Sequence, residues 1–324
     1  MILSFFVRLM CIGLASFFLL HVAGWLLTRV MGPVVVRFCA RLRPSTSANV
    51  LLAFRLFPSV TAIFLASVCG VIYQIAESHE PYEYTSVLCI SLAVLGAASV
   101  LLSLGRTLGA GIKLWRYLDQ CSRKGSETSV DGSGASLIVI EDSAPFFFLA
   151  GIVQPRLVAA RSVIDSLTHD QLEVAIRHEQ AHFASRDNLK RLLILMTPDV
   201  VPFVRGFGAL ETEWCRFAEW AADDHAVAGN STSCVSLAAA LVHLARAGSV
   251  PQFAPLVNPL MANSEQLAAR VDRLLRQGPS LRPAFENGQY LFALALLATG
   301  SILVLALLQP ASVSAVHELL ENLH

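Results

Sequence analysis

Charge is scarce in this sequence. Only 15% of its 324 residues are Asp, Glu, Lys or Arg, against 55% hydrophobic, and the acids and bases cancel to a net charge of zero. So apolar a chain fits poorly with a wholly soluble enzyme and reads first as a membrane protein. Long basic clusters away from the ends of apolar segments are also missing, which argues against direct nucleic-acid binding. Paired cysteines are lacking as well. Cys11, Cys39, Cys69, Cys89, Cys121, Cys215 and Cys234 are odd in number, scattered and partly inside apolar stretches. That excludes a CxxC metal clip, argues against a disulfide framework and leaves buried or reduced thiols. No internal repeat is visible.

What is present in quantity is long apolar sequence. About twenty residues at helical rise cross a bilayer, and four segments qualify: Leu9–Thr28, Leu56–Ala76, Tyr84–Gly105 and Gln289–Gln309. Trp25, Tyr73, Tyr84 and Tyr290 sit near the segment ends, where amphipathic rings favour the interface. His21 is the titratable residue inside the first segment, and a hydrogen-bonded bundle residue is its expected role. The first segment is expected to be a span and not a cleaved signal, since it lacks a small-residue cleavage site and more positive charge follows it than precedes it.

Short cytoplasmic loops carry the Lys and Arg excess. The first loop holds Arg29, Arg37, Arg41, Arg43 and Arg55, whereas the second holds Glu77, Glu80 and Glu83 with no base. Arg106, Lys113, Arg116, Arg123 and Lys124 follow the third span. This pattern predicts an external N-terminus, a cytoplasmic domain over about 106–288, and a short external tail at 310–324 after the fourth span.

Within that domain, Ser122–Ser136 is polar and rich in Gly and Ser, and reads as a linker or surface loop. The apolar runs Leu137–Ile140, Phe146–Leu149 and Leu157–Ala160 predict a small sheet. Thr168-His169-Asp170-Gln171 has capping-box spacing, so a helix is expected to start there and run through His182. Further helices are expected over Glu211–Val227, Val235–Ala247 and Ser264–Gln277. In the last, Arg270, Arg273 and Arg276 are placed to face anionic headgroups.

The helix after the capping box carries His178-Glu179-Gln180-Ala181-His182. Residues four apart share a helix face, so both imidazoles can reach one ion while Glu179, one residue along, can reach a water on it. This is the arithmetic of H-E-x-x-H: two zinc ligands and a general base. The alternative is a polar helix face with two solvated histidines. Catalytic zinc takes three protein ligands and an open position. Downstream, Glu219 and Asp223 are four apart in a stretch rich in Ala, Trp and Phe. Glu219 is the candidate third ligand, and Asp223 can accept a ligand histidine's other ring N–H. His225 stays open between substrate-side group, alternative ligand and surface residue.

These motifs, with Ile152-Val153-Gln154-Pro155-Arg156-Leu157-Val158, Arg186-Asp187-Asn188, Glu219–Asp224 and Leu267–Leu275, resemble the BlaR/MecR antirepressor family of membrane zinc metallopeptidases. The resemblance covers most of the chain. It implies a mainly α membrane protein with a small β-sheet, in which four transmembrane helices carry a cytoplasmic zincin-like domain. It further implies Zn2+ on His178, His182 and Glu219, Glu179 as catalytic base, Asp223 and Asp187 as supporting acids, and residence in a bacterial inner membrane. A protein substrate is implied too, either a winged-helix transcriptional repressor or the chain itself. CAAX-protease and heat-shock membrane peptidases share a similar zinc pattern, which makes housekeeping proteolysis the alternative and a non-enzymatic scaffold or receptor the third reading. Ala222 stands where such families often have cysteine, outside the ligand set. The sequence ends at His324, short of the penicillin-binding sensor of the antirepressors, so β-lactam sensing is not expected.

Leu192–Leu210 is apolar but interrupted by Pro198, Asp199, Pro202 and Arg205. A single crossing there would separate His182 from Glu219 by the membrane, and the segment is too short for two. A membrane-adjacent or core-buried helical hairpin is therefore expected.

Overall fold

The computed structural model describes residues 2–76, 82–129, 136–141, 146–152, 155–199, 207–247 and 264–277. The expected fourth span at 289–309 and the tail at 310–324 lie outside the described residues. The chain is mainly helical. It begins with a short strand β1 (Ile2–Ser4), then α1 (Phe5–Cys39), α2 (Pro44–Ala76), β2 (Tyr82–Tyr84) and α3 (Val87–Lys124). Strands β1 and β2 pair antiparallel.

Helices α1, α2 and α3 are each long and apolar enough to cross a membrane, and the protein itself buries only 28%, 33% and 28% of their most apolar windows. The remaining apolar surface, including Met10, Val60, Val94 and Leu101, needs an apolar solvent. The helices outrun the predicted spans. The 35 residues of α1 rise roughly 50 Å, whereas a hydrocarbon core is about 30 Å thick. Chain direction alternates, so the excess at the end of α1, the start of α2 and the end of α3 projects to one side as a helical stalk. Hydropathy marks where lipid begins, not where the helix stops.

Close approach of α1 and α3 depends on Gly96, where an added Cβ would come 2.6 Å from the carbonyl oxygen of Leu14. His21 is buried, stacks on Phe17 at 5.6 Å and lies with Nε2 3.1 Å from the carbonyl oxygen of Pro198. It is thus the hydrogen-bonded bundle residue expected of it.

Beyond the stalk come β3 (Ser126–Ser129), β4 (Ser136–Ile140), β5 (Phe147–Ala150), β6 (Arg156–Ala160) and the helices α4 (Arg161–Ser166), α5 (His169–Ser185), α6 (Asp187–Met196), α7 (Gly208–Val227), α8 (Ser231–Ala247) and α9 (Ser264–Gln277). The sheet order is β3-β4-β6-β5, with β4 and β6 parallel and the outer pairs antiparallel. Strand β5 and most of β6 are buried, as their unbroken apolar runs require. The expected linker at 122–136 is corrected in part. Helix α3 continues to Lys124 and β3 pairs with β4, because ladder hydrogen bonds stabilise a polar segment whose composition alone favours coil.

Two cores join the pieces. One packs the sheet against α5, α8, α9 and the α3 extension through Phe148, Val158, Ala175, Leu241 and Leu114. The other packs Leu51 and Phe54 of α2 against Trp214, Phe217 and Ala218 of α7. Helix α6 ends at Met196 and α7 begins at Gly208. Within the described part of 192–210, Ile194 and Leu210 pack against the stalk, whereas Met196 and Pro198 reach the apolar bundle, where Pro198 meets His21.

Gly96→Val should wedge α1 from α3 and cost about 1–3 kcal/mol by overpacking. Gly13→Ala, whose Cβ would meet nothing within 4 Å, should be nearly silent. Thermal unfolding in detergent compares the two.

Candidate metal centre

Helix α5 starts as its sequence demands. Thr168 accepts from the backbone of Gln171, and the Gln171 side chain accepts from the Thr168 N–H at 3.1 Å. From that fixed start, helical periodicity turns His178 and His182 to one face, with ring centroids 4.8 Å apart and planes at 82°. Helix α7 packs across α5 and presents Glu219 and Asp223, four residues apart, to the histidines.

His178 Nε2, His182 Nε2 and Glu219 converge. The two nitrogens are 3.2 Å apart, His178 Nε2 is 3.4 Å from Glu219 Oε2, and His182 Nε2 is 3.6 Å from Glu219 Oε1. Ligands about 2.0–2.1 Å from a tetrahedral ion stand about 3.3 Å from one another. The three side chains, all buried, thus bring one donor atom each to within 4.8 Å of one another, close enough to share one ion.

Each imidazole is held from behind. Asp187 Oδ2 is 2.7 Å from His182 Nδ1, and Lys190 donates to the other Asp187 oxygen at 3.1 Å. Asp187 reaches back because Arg186 adopts the left-handed region (φ 53°), ending α5 and starting α6 without a connecting loop. Asp223 Oδ1 is 3.0 Å from His178 Nδ1, close in distance though off the best hydrogen-bond line. Arg270 of α9 grips Asp223 with Nε at 2.9 Å and Nη2 at 2.6 Å, and its Nη1 lies 3.0 Å from Glu219 Oε2.

Glu179 is buried beside the cluster, with Oε2 accepting from the Leu149 N–H at 2.9 Å and Oε1 without a partner among the described residues. Asn188 donates to the carbonyl oxygens of Leu149 and Gly151. His225 is exposed on α7 and does not join the others.

The structure brings His178, Glu179, His182, Asp187, Glu219 and Asp223 together, and adds Arg270, which the sequence pattern does not place there. The expectation that Arg270 and Arg273 face headgroups is corrected. Arg270 is buried on Asp223, and Arg273 pairs with Asp224 at 2.6 Å. A signal existed: Arg270 shares a helix face with Leu267, Val271 and Leu274, which pack into the core. An arginine inside such a stripe must meet a buried acid.

The electrostatics ask for a cation. With neutral histidines, four carboxylates (Glu179, Asp187, Glu219 and Asp223) face two fixed cations, Arg270 and Lys190, a deficit that one divalent ion cancels. Without it, protons take the place. Burial pushes His182 toward the neutral form, but Glu219 and Asp187 outweigh it and hold its pKa up at about 10. Burial also opposes charge on His178, yet Asp223 and Glu219 raise it. Against their own burial, Arg270 and His182 hold Glu219 well below the carboxylate range, and Arg270 with His178 holds Asp223 down at about 2. Glu179 is raised by burial, tempered by the histidines.

No protein-family model matches this chain, and no curated protein matches it significantly.

An ion entering this cluster must displace at least the proton that His182 holds below about pH 10. Metal affinity should therefore rise at least about tenfold per pH unit between pH 6 and 8, with proton release on binding. Chelator competition across that range, and calorimetry in buffers of different ionisation enthalpy, read both effects. A flat profile contradicts the assignment.

Proposed function

We propose that the chain is an integral-membrane zinc metalloendopeptidase. The observation that carries this reading is the convergence of two imidazole nitrogens and one buried carboxylate, with the unpartnered Oε1 of Glu179 beside them. Two nitrogens and one oxygen in a buried site would suit zinc, and three protein ligands would leave a position open for reaction. The donor set fits the ion, which supplies Lewis acidity to a water and to the scissile carbonyl when bound.

Glu179 Oε1 accepts a proton from the attacking water as the new C–O bond forms. As the C–N bond breaks, the same carboxyl passes that proton to the leaving amine. Its burial raises the pKa, which suits a group that must both take and return a proton. Asp187 and Asp223 favour the imidazole tautomers that would leave each Nε2 lone pair free to hold the ion. Arg270 balances the charge of Glu219 and Asp223.

An extended peptide substrate would pair along β5. That strand is a sheet edge, and its register with β6 turns the N–H and C=O of Phe147 and Leu149 away from the ladder toward α5. Pairing of a substrate at Leu149 replaces the bonds to Glu179 and Asn188 and frees the second oxygen of the base.

We place the domain on the cytoplasmic side, since the basic residues of the first loop and of the α3 extension belong to the same end of the bundle as the cluster. By resemblance to the antirepressor family, the activity is regulatory, cleaving a cytoplasmic repressor or the chain itself.

Glu179→Gln should keep the metal and slow peptide cleavage by about 10²–10⁴-fold. Comparison of new protein N-termini in cells carrying wild type or variant, with metal content measured on the purified proteins, tests this. Cleavage at the wild-type rate by a metal-loaded variant overturns the mechanism.

A further inference from the structure

A second built site lies between the stalk and the metal domain. Helices α2, α3, α6 and α7 enclose a cavity of about 650 Å³. On α3, Leu101, Gly105, Gly109 and Lys113 follow at four-residue spacing and form one wall. A Cβ at either glycine would meet nothing within 4 Å. Leu101 and Leu102 at the rim are 67% and 43% exposed, so this end opens on the apolar surface of the bundle.

The lining is also cationic: it includes Arg55, Arg106, Lys113 and Arg191, against two carboxylates among the described residues, Asp199 and Glu211. Both carboxylates are already engaged: Arg106 donates to Asp199 at 2.7 Å and Arg55 Nε to Glu211 at 2.9 Å. The Arg55 side chain is 3% exposed and stacks over Phe207 at 3.9 Å, and its Nη1 is buried with no hydrogen-bond partner among the described residues. Nε and Nη2 of Arg191, whose guanidinium lies over Trp214 at 5.2 Å, are likewise buried without a hydrogen-bond partner among the described residues. Buried guanidinium donors are costly to leave unmet.

Depth narrows the choice of ligand. Arg55 immediately precedes the apolar segment 56–76, and Arg106 immediately follows 84–105. The donors therefore stand at one boundary of the hydrocarbon, where lipid phosphates lie. A phosphate offers several acceptor oxygens to forked guanidinium donors, and an apolar wall beside them suits acyl chain. We propose that this cavity binds the phosphate of an anionic phospholipid, with its chains against Leu101 and Leu102. Free phosphate shares the recognising chemistry but has no use for the apolar wall.

The test uses the full-length protein in detergent, with lipid retention read by native mass spectrometry and Tm measured in parallel. The probes are phosphatidylglycerol, phosphatidylcholine and inorganic phosphate. Wild type should retain phosphatidylglycerol over phosphatidylcholine and gain Tm from it, with inorganic phosphate giving a smaller gain. Gly109→Leu, which fills the cavity, should lose the bound lipid while keeping its lipid-free Tm. Arg191→Gln should weaken retention about fivefold and carries the comparison if Gly109→Leu does not fold. Equal retention of both lipids, or wild-type retention by a folded Gly109→Leu, overturns the site. A Tm gain from inorganic phosphate with none from phosphatidylglycerol overturns the lipid as its occupant. None of these readouts depends on peptidase activity.

Discussion

Among the described residues, four buried carboxylates in the layer between α5, α6, α7 and α9 face one buried cation, Arg270, and one partly exposed cation, Lys190. Buried charge of one sign is tolerated only when something of the opposite sign joins it. Every feature around the layer makes that joining specific. The left-handed turn at Arg186 returns Asp187 to His182, and the four-residue spacing on α7 brings Glu219 to both histidines and Asp223 to His178. Arg270 caps the pair of α7 carboxylates from a helix 47 residues away in sequence. With neutral histidines the cluster is thus short of positive charge by an amount that one divalent ion could supply.

Helix α7 ties this centre to the membrane helices. One face carries Glu219 and Asp223. Another buries Trp214, Phe217 and Ala218 against α2, and its first turn holds Glu211, the partner of Arg55. The preceding connection is pinned by His21 at Pro198 and by Arg106 at Asp199. The third donor is therefore held by the element that also packs on the stalk, whereas both histidines sit on a helix braced by the sheet.

The site was more legible in the sequence than the fold around it. A five-residue pattern, a capping box that fixes helical phase and a second pair of acids at helical spacing are local signals, and each survives into the structure because helix geometry is set locally. Topology added one global constraint: His182 and Glu219 must share a side of the membrane, which forbids a single crossing by 192–210. The unread features depend on distant partners. Polar Ser126–Ser129 is a strand because β4 lies beside it, and the Leu149 N–H matters because sheet register turns it toward Glu179. Arg270 was misjudged because an amphipathic, arginine-rich helix beside an apolar segment fits a membrane surface as well as a buried acid. Helix lengths were underestimated for a related reason, since hydropathy falls where the stalk leaves lipid although the hydrogen-bond ladder continues.

The proposed function depends on a metal centre formed by His178, His182 and Glu219. X-ray absorption at the zinc edge of the purified, full-length protein tests it most directly. The prediction is one zinc per chain with only nitrogen and oxygen neighbours at about 2.0–2.1 Å, lost in His182→Ala. Sulfur neighbours at about 2.3 Å, or stoichiometric zinc retained by His182→Ala with an unchanged spectrum, would contradict it.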